Sequence, residues 1–265
     1  MIGIIVTLIV CALCGYLLGS INTSLVVGMF YRVDVRKYGS GNAGTTNVLR
    51  VLGKKAAAMT FAGDFLKGIL ACFVGWVIVY FFTDAFYGMF RDLVSDGVSN
   101  GFISDILELL SSRDKDYIVE NARNGGAVSL LSAGYMTAGF FSVIGHNWPV
   151  YFKFKGGKGV LTTFAVMIAI APIPALFSLL FFIIVVAISR YISLGSILAA
   201  VFLPTFLYIS YILKLNLLKE DIKLYLIFCI PLAFLVIIRH NKNIKRLINR
   251  TENKLSFKKV KGGVE

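Results

Sequence analysis

The residues in this chain that could do chemistry fall in a few short polar stretches. "GSGNAGTTNVLR" contributes Gly39, Ser40, Gly41, Asn42, Gly44, Thr46, Asn47 and Arg50. Glycine reaches positive φ and leaves its N–H uncovered, so a Gly-Ser-Gly-Asn run can curl into a nest of donors around one anion. A helix starting near Thr45 would put Thr46, Asn47 and Arg50 on a shared face, where Arg50 could grip a phosphate with two parallel hydrogen bonds. The competing reading is a flexible turn whose arginine rests among lipid headgroups. "GHNWPVYFKFKGGKGV" sets Lys153, Lys155 and Lys158 around Gly156, Gly157 and Gly159, a second cationic nest. It is not a nucleotide P-loop, because Lys158 is followed by glycine rather than Ser or Thr. His146 in the same stretch would alone be a hydrogen-bonded interfacial histidine, and beside the lysines it becomes a candidate for catalysis. "RYISLGS" adds Ser193 and Ser196, for which helix capping is the plain alternative. "RHNKN" adds His240 and Asn243 behind Arg239, which reads as the basic end of an apolar run. Asp64 and Lys67, three residues apart, are expected to pair.

The elements that must position these residues are membrane helices. The 265 residues are 57% hydrophobic, too apolar for a soluble domain of this length. Apolar runs at about Ile2 to Phe30, Ala56 to Phe82, Ala127 to Ile144, Leu194 to Leu213 and Leu224 to Ile238 are each near the ~20 residues that span a bilayer. A further run, Val160 to Ser189, is too long for one straight span and holds Pro172 and Pro174 near its middle, so a two-helix hairpin broken at "APIP" is expected. Charge orients the whole. Residues 31 to 55 hold six bases against Asp34, and nine bases crowd Arg239 to Lys261 with only Glu252 and Glu265 opposing them. Both should face the cytoplasm, which requires seven helices, amino terminus outside and carboxyl terminus inside. The segment Asp84 to Gly125, with eight acids and four bases, suits an external loop. The reading is an all-α integral membrane domain, residues 1 to 250, followed by a basic cytoplasmic tail, 251 to 265. This topology gathers the polar stretches on one face.

Cys11, Cys14, Cys72 and Cys229 lie within apolar runs and read as packing residues, so neither a metal site nor a cofactor is expected.

The chain resembles the bacterial acyl-phosphate:glycerol-3-phosphate acyltransferases, the PlsY family. The matching segments are GSGNxGxTNxxR at Gly39 to Arg50, GHxxPVxxxFKGGKGV at Gly145 to Val160, the SLGS motif at Ser193 to Ser196, and RHxxNIxRL at Arg239 to Leu247. "GSINTS" and "DFLKG" also match, while about Asp84 to Gly125 and the tail beyond residue 250 do not; Leu161 stands where the family often has alanine. The resemblance implies transfer of a fatty acyl group from acyl phosphate to the 1-hydroxyl of glycerol 3-phosphate. The products would be lysophosphatidate and phosphate, for phospholipid synthesis in the bacterial cell membrane. It assigns catalysis to Ser40, Asn42, Arg50, His146 and Lys155. It assigns substrate binding to Gly39, Gly41, Gly44, Thr46, Asn47, Lys153, Gly156, Gly157, Lys158, Gly159, Ser193, Ser196, His240 and Asn243. The expected partners are the two substrates and the lipid bilayer, with the protein monomeric. An acyl phosphate is an activated mixed anhydride, so no nucleophilic triad is needed.

Two other classes fit the residues less well. A transporter of phosphorylated solutes would call for ionisable groups near the bilayer midplane and an inverted repeat, and the polar groups instead cluster at one face. A nucleic-acid binder using the basic tail would leave the glycine stretches without a purpose and lacks interleaved aromatics beyond Phe257, so no nucleic acid is expected.

Overall fold

The structure is a computed structural model that describes residues 2–95, 130–215 and 222–255. Regular structure among these residues is entirely helical. Helices α1 (Ile2–Ser20) and α2 (Thr23–Phe30) are separated by Asn22, whose side chain caps α2 by accepting from the Leu25 N–H at 3.3 Å and from the Ser24 hydroxyl at 2.6 Å. A short helix α3 (Thr45–Val51) precedes the 42-residue α4 (Lys54–Ser95). Then come α5 (Leu130–Asn147), α6 (Val160–Ile170), α7 (Pro172–Ser189), α8 (Ile192–Ile212), α9 (Ile222–Arg239) and the basic α10 (Asn241–Ile248).

Five of these stretches are long and apolar enough to cross a membrane: Ile5–Phe30, Lys54–Phe81, Pro172–Ser189, Ile192–Ile212 and Ile222–Arg239. The helix α6 is apolar but shorter. The break expected within residues 160 to 189 occurs at Ala171, between α6 and Pro172 at the start of α7, where proline needs no N–H partner. Large apolar side chains such as Phe73, Ile183, Phe234 and Ile188 remain exposed, an arrangement that suits hydrocarbon and not water.

Without a hydrophobic force between helices in lipid, close approach must come from small residues. The pairing of α1 with α5 shows this: a Cβ on Gly15 or Gly19 would collide with the backbones of Ala138 or Ser142. This contact also fixes the polar stretch that follows α5, because the Tyr16 hydroxyl donates to the Trp148 carbonyl at 3.0 Å and Ser20 accepts from the Val150 N–H at 3.4 Å.

The first part of the acid-rich segment Asp84 to Gly125 departs from a loop, since α4 runs on to Ser95. Residues 96 to 125, like tail residues 256 to 265, lie outside the described residues.

Candidate active site

A cavity of 370 Å³ opens where the polar stretches meet the ends of α6, α8 and α9. One end is polar, lined by Ser40, Asn42, Gly44, Thr46, Asn47, Arg50, His146, Lys158, Gly159, Ser193, Ser196, His240 and Asn243. The other end is apolar, with Phe164, Met167, Ala175, Leu179, Phe182, Ala199, Leu203 and Val236.

The first stretch folds about Asn47, which is fully buried. Its carbonyl oxygen accepts from the N–H and hydroxyl of Ser40 at 2.8 and 3.2 Å, and its amide donates to the carbonyls of Val35 and Tyr38 at 2.7 and 3.1 Å. All four hydrogen-bonding positions of the amide are committed to the loop, so Asn47 shapes the site. Gly39 and Gly41 adopt φ of 62° and 70° as expected, but they turn the chain from behind and do not line the cavity. The helix begins at Thr45 and points Thr46 and Arg50 at the cavity. The Arg50 guanidinium has no hydrogen-bond partner among the described residues, and burial lowers its pKa from the ordinary value.

In the second stretch one donor of the expected anion nest is already committed. The Gly157 N–H is spent on the His146 carbonyl at 3.1 Å. The Gly157 carbonyl accepts from Arg239 Nε and Nη2 at 3.1 and 2.8 Å, and Nη2 also reaches the Gly156 carbonyl at 3.4 Å. These glycines are required for close approach: a Cβ on Gly157 would strike His146 Nε2 and lie 2.5 Å from the Ala43 carbonyl oxygen. Gly159, at φ 75°, starts α6 from the cavity wall. Lys153 and Lys155, expected as binding and catalytic groups, are exposed on the outer surface and do not line the cavity. The peptide carbonyl of Lys155 instead accepts from Arg36 at 3.2 Å, tying the first stretch to the second. Lys158 is the lysine that turns inward. Burial, opposed by Glu252 and reinforced by Arg246, Arg50 and Arg239, pushes its pKa down to about 8.

His240 Nδ1 lies 2.7 Å from the Val236 carbonyl, which only accepts, so Nδ1 carries the proton and Nε2 keeps the lone pair. Burial and neighbouring Lys158 bring its pKa down to about 4, leaving the imidazole neutral. Ser196 lies inside α8 and donates to the Ile192 carbonyl at 2.9 Å, so it does not cap the helix.

Several site residues escaped the sequence reading. Glu252 lines the cavity, accepting from Ser193 at 3.1 Å, Asn243 at 2.7 Å and Arg246 Nε at 2.6 Å. Burial raises its pKa, but these donors win and hold it below the usual carboxylate range. Residues 251 to 255, expected as the start of a basic tail, pack against the site: Glu252 and Asn253 line the cavity and the Leu255 N–H donates to the Arg190 carbonyl at 2.7 Å. A lone acid within a basic run was the available signal. Arg239 also proves to be more than a basic helix end, since it clamps the glycine stretch and sits 5.1 Å from the Trp148 ring. Thr163 adds a buried cavity hydroxyl without a partner among the described residues.

The helical chain thus carries, among the described residues, two cations without a protein partner in a cavity that is otherwise largely apolar, the make-up of a membrane protein with a site for an anionic ligand. The family profile described as "Glycerol-3-phosphate acyltransferase" matches residues 9–250, and the chain belongs to that family. It is 38% identical over 252 residues to the glycerol-3-phosphate acyltransferase of Clostridioides difficile strain 630, covering 95% of this chain and 97% of the relative. Identity to the Thermoanaerobacter pseudethanolicus enzyme of that name is 36% over 248 residues, 93% and 95% of the two chains. The fold is similar to a crystal structure of PlsY, an integral membrane glycerol 3-phosphate acyltransferase, in its glycerol 3-phosphate form. The TM-score is 0.64 at 30% identity, with 94% of this chain and 96% of that one covered. The chain is thus a bacterial multi-pass membrane glycerol-3-phosphate acyltransferase of phospholipid synthesis.

Proposed function

We propose that the acyl donor is a fatty acyl phosphate and that the product is lysophosphatidate acylated at the former 1-hydroxyl of glycerol 3-phosphate. The observation that carries this reading is the two-ended cavity: Arg50 and Lys158 at the polar end suit phosphate, and the channel from Phe164 to Leu203 suits an acyl chain. Glycerol O1 attacks the acyl carbonyl carbon, the bond from that carbon to the phosphate oxygen breaks, and the departing phosphate takes the hydroxyl proton. Proton transfer to the substrate is favoured because His240, with its pKa near 4, is a poor base. The protein contributes position and charge stabilisation, drawn from Arg50, Lys158, Ser40, Asn42 and Asn243. Purified protein supplied with radiolabelled glycerol 3-phosphate is expected to form lysophosphatidate with palmitoyl phosphate and none with palmitoyl coenzyme A. The reverse preference would overturn the donor assignment.

Lys158 gives this reading a pH signature. With the free-enzyme pKa near 8, the ammonium is protonated below that pH and neutral above it. The kcat/KM for glycerol 3-phosphate should therefore fall above about pH 8, and Lys158→Arg should move that limb upward. An alkaline limb unchanged in the arginine variant would remove Lys158 from phosphate binding.

The membrane arrangement we infer has seven spans, α5 and the short α6 completing the five long ones, with the amino terminus outside and the carboxyl terminus inside. The basic α10 supports the inner placement. Reporter tags at the two ends should label opposite sides; labelling on one side would refute the count.

A further inference from the structure

At the edge of the cavity, which Asp64 and His146 line, Asp64, Lys67 and His146 form a buried cluster to which the proposed reaction assigns no step. Lys67 Nζ lies 2.7 Å from Asp64 Oδ1, 3.0 Å from the Ile21 carbonyl oxygen and 2.9 Å from His146 Nδ1. All three residues are buried, with exposures of 1%, 7% and 4% in sequence order. An ammonium has three protons and accepts nothing, while a carboxylate and a carbonyl can only accept. The three neighbours therefore take one proton each, and His146 Nδ1 must be the acceptor of the third. The competing bond, from a protonated Nδ1 to Asp64 Oδ1, would have to span 3.5 Å, beyond good hydrogen-bond length. A protonated His146 would also place a second buried cation against Lys67, with Asp64 as the single counter-charge in the cluster.

We propose that Lys67 and Asp64 are positioning residues that hold His146 as its Nε2–H tautomer, so that His146 meets substrate as a hydrogen-bond donor and cannot receive the glycerol proton. Nε2 sits beside the glycine stretch, at the place a Gly157 side chain would occupy, and the His146 ring lines the cavity. His240 is held the opposite way, its Nδ1–H spent on Val236. The two histidines thus offer the cavity one donor and one acceptor. The role as donor toward phosphate rests on the proposed acyl transfer; the tautomer does not.

The test exploits the presence of only two histidines in the chain. Ligand-free protein labelled with ¹⁵N-histidine in a lipid nanodisc should show two neutral imidazoles at neutral pH. In His240→Gln protein the remaining signal should have an unprotonated Nδ1 and a protonated Nε2. An Nδ1–H tautomer or an imidazolium there would overturn the proposal, whatever the acyl donor proves to be. The charge-neutral double variant Asp64→Asn with Lys67→Met should then lose the single-tautomer signature and raise KM for glycerol 3-phosphate about tenfold, with kcat changing less than threefold. Retention of both the signature and the native KM in that variant would remove Lys67 and Asp64 from the role.

Discussion

Replacement of Gly157 by leucine is expected to lower kcat/KM by at least about 10²-fold, the cost of displacing a catalytic group by ~1 Å. The cause is steric. The new side chain would enter the space held by His146 Nε2 and the Ala43 carbonyl, forcing apart the two stretches that face each other across the cavity. The carbonyl of Gly157 would also shift away from Arg239, loosening the clamp from α9. The helices bury their faces elsewhere, so the variant should still insert and elute as the native protein does. Gly157→Ala should be intermediate, because its single methyl meets the same two neighbours. Native turnover in the leucine variant, with insertion verified, would show that the close approach is unnecessary.

Arg50→Ala should cost about 10² to 10³-fold in kcat/KM, the scale for losing a charge-assisted, preorganised donor pair. The guanidinium is half-buried, lines the cavity and has no protein partner among the described residues, so its donors are free for a ligand. Arg50→Lys should lose nearly as much, because an ammonium keeps the charge and forfeits the planar fork. Steady-state kinetics with glycerol 3-phosphate as the varied substrate distinguishes the cases. Recovery by lysine to within threefold of the native value would reduce Arg50 to a point charge.

How far such effects could be read from the sequence depended on whether they were local. The break at Ala171 follows from proline chemistry, and the pairing of Asp64 with Lys67 from their spacing of three on a helix. The helix start at Thr45 and the positive φ of Gly39 and Gly41 were equally legible, since each is decided within a few residues. What escaped was set by distant partners. Glu252 finds Ser193 across 59 residues, and Arg239 finds Gly157 across 82. The same limit explains the misassigned lysines: spacing placed Lys153, Lys155 and Lys158 around the glycines equally, and the left-handed turn at Lys153 and Phe154 decides that Lys158 alone faces inward. For the glycine stretch the sequence shows the residues and not their partners: the Gly157 N–H and carbonyl are claimed by His146 and Arg239.

The acyl donor is tested most directly by ³¹P nuclear magnetic resonance of purified protein given palmitoyl phosphate and glycerol 3-phosphate without coenzyme A or carrier protein. The phosphorus signals of both substrates should decline together and be replaced by equal amounts of lysophosphatidate and inorganic phosphate. Persistence of palmitoyl phosphate beside glycerol 3-phosphate, with turnover appearing only when palmitoyl coenzyme A is added, would contradict the account.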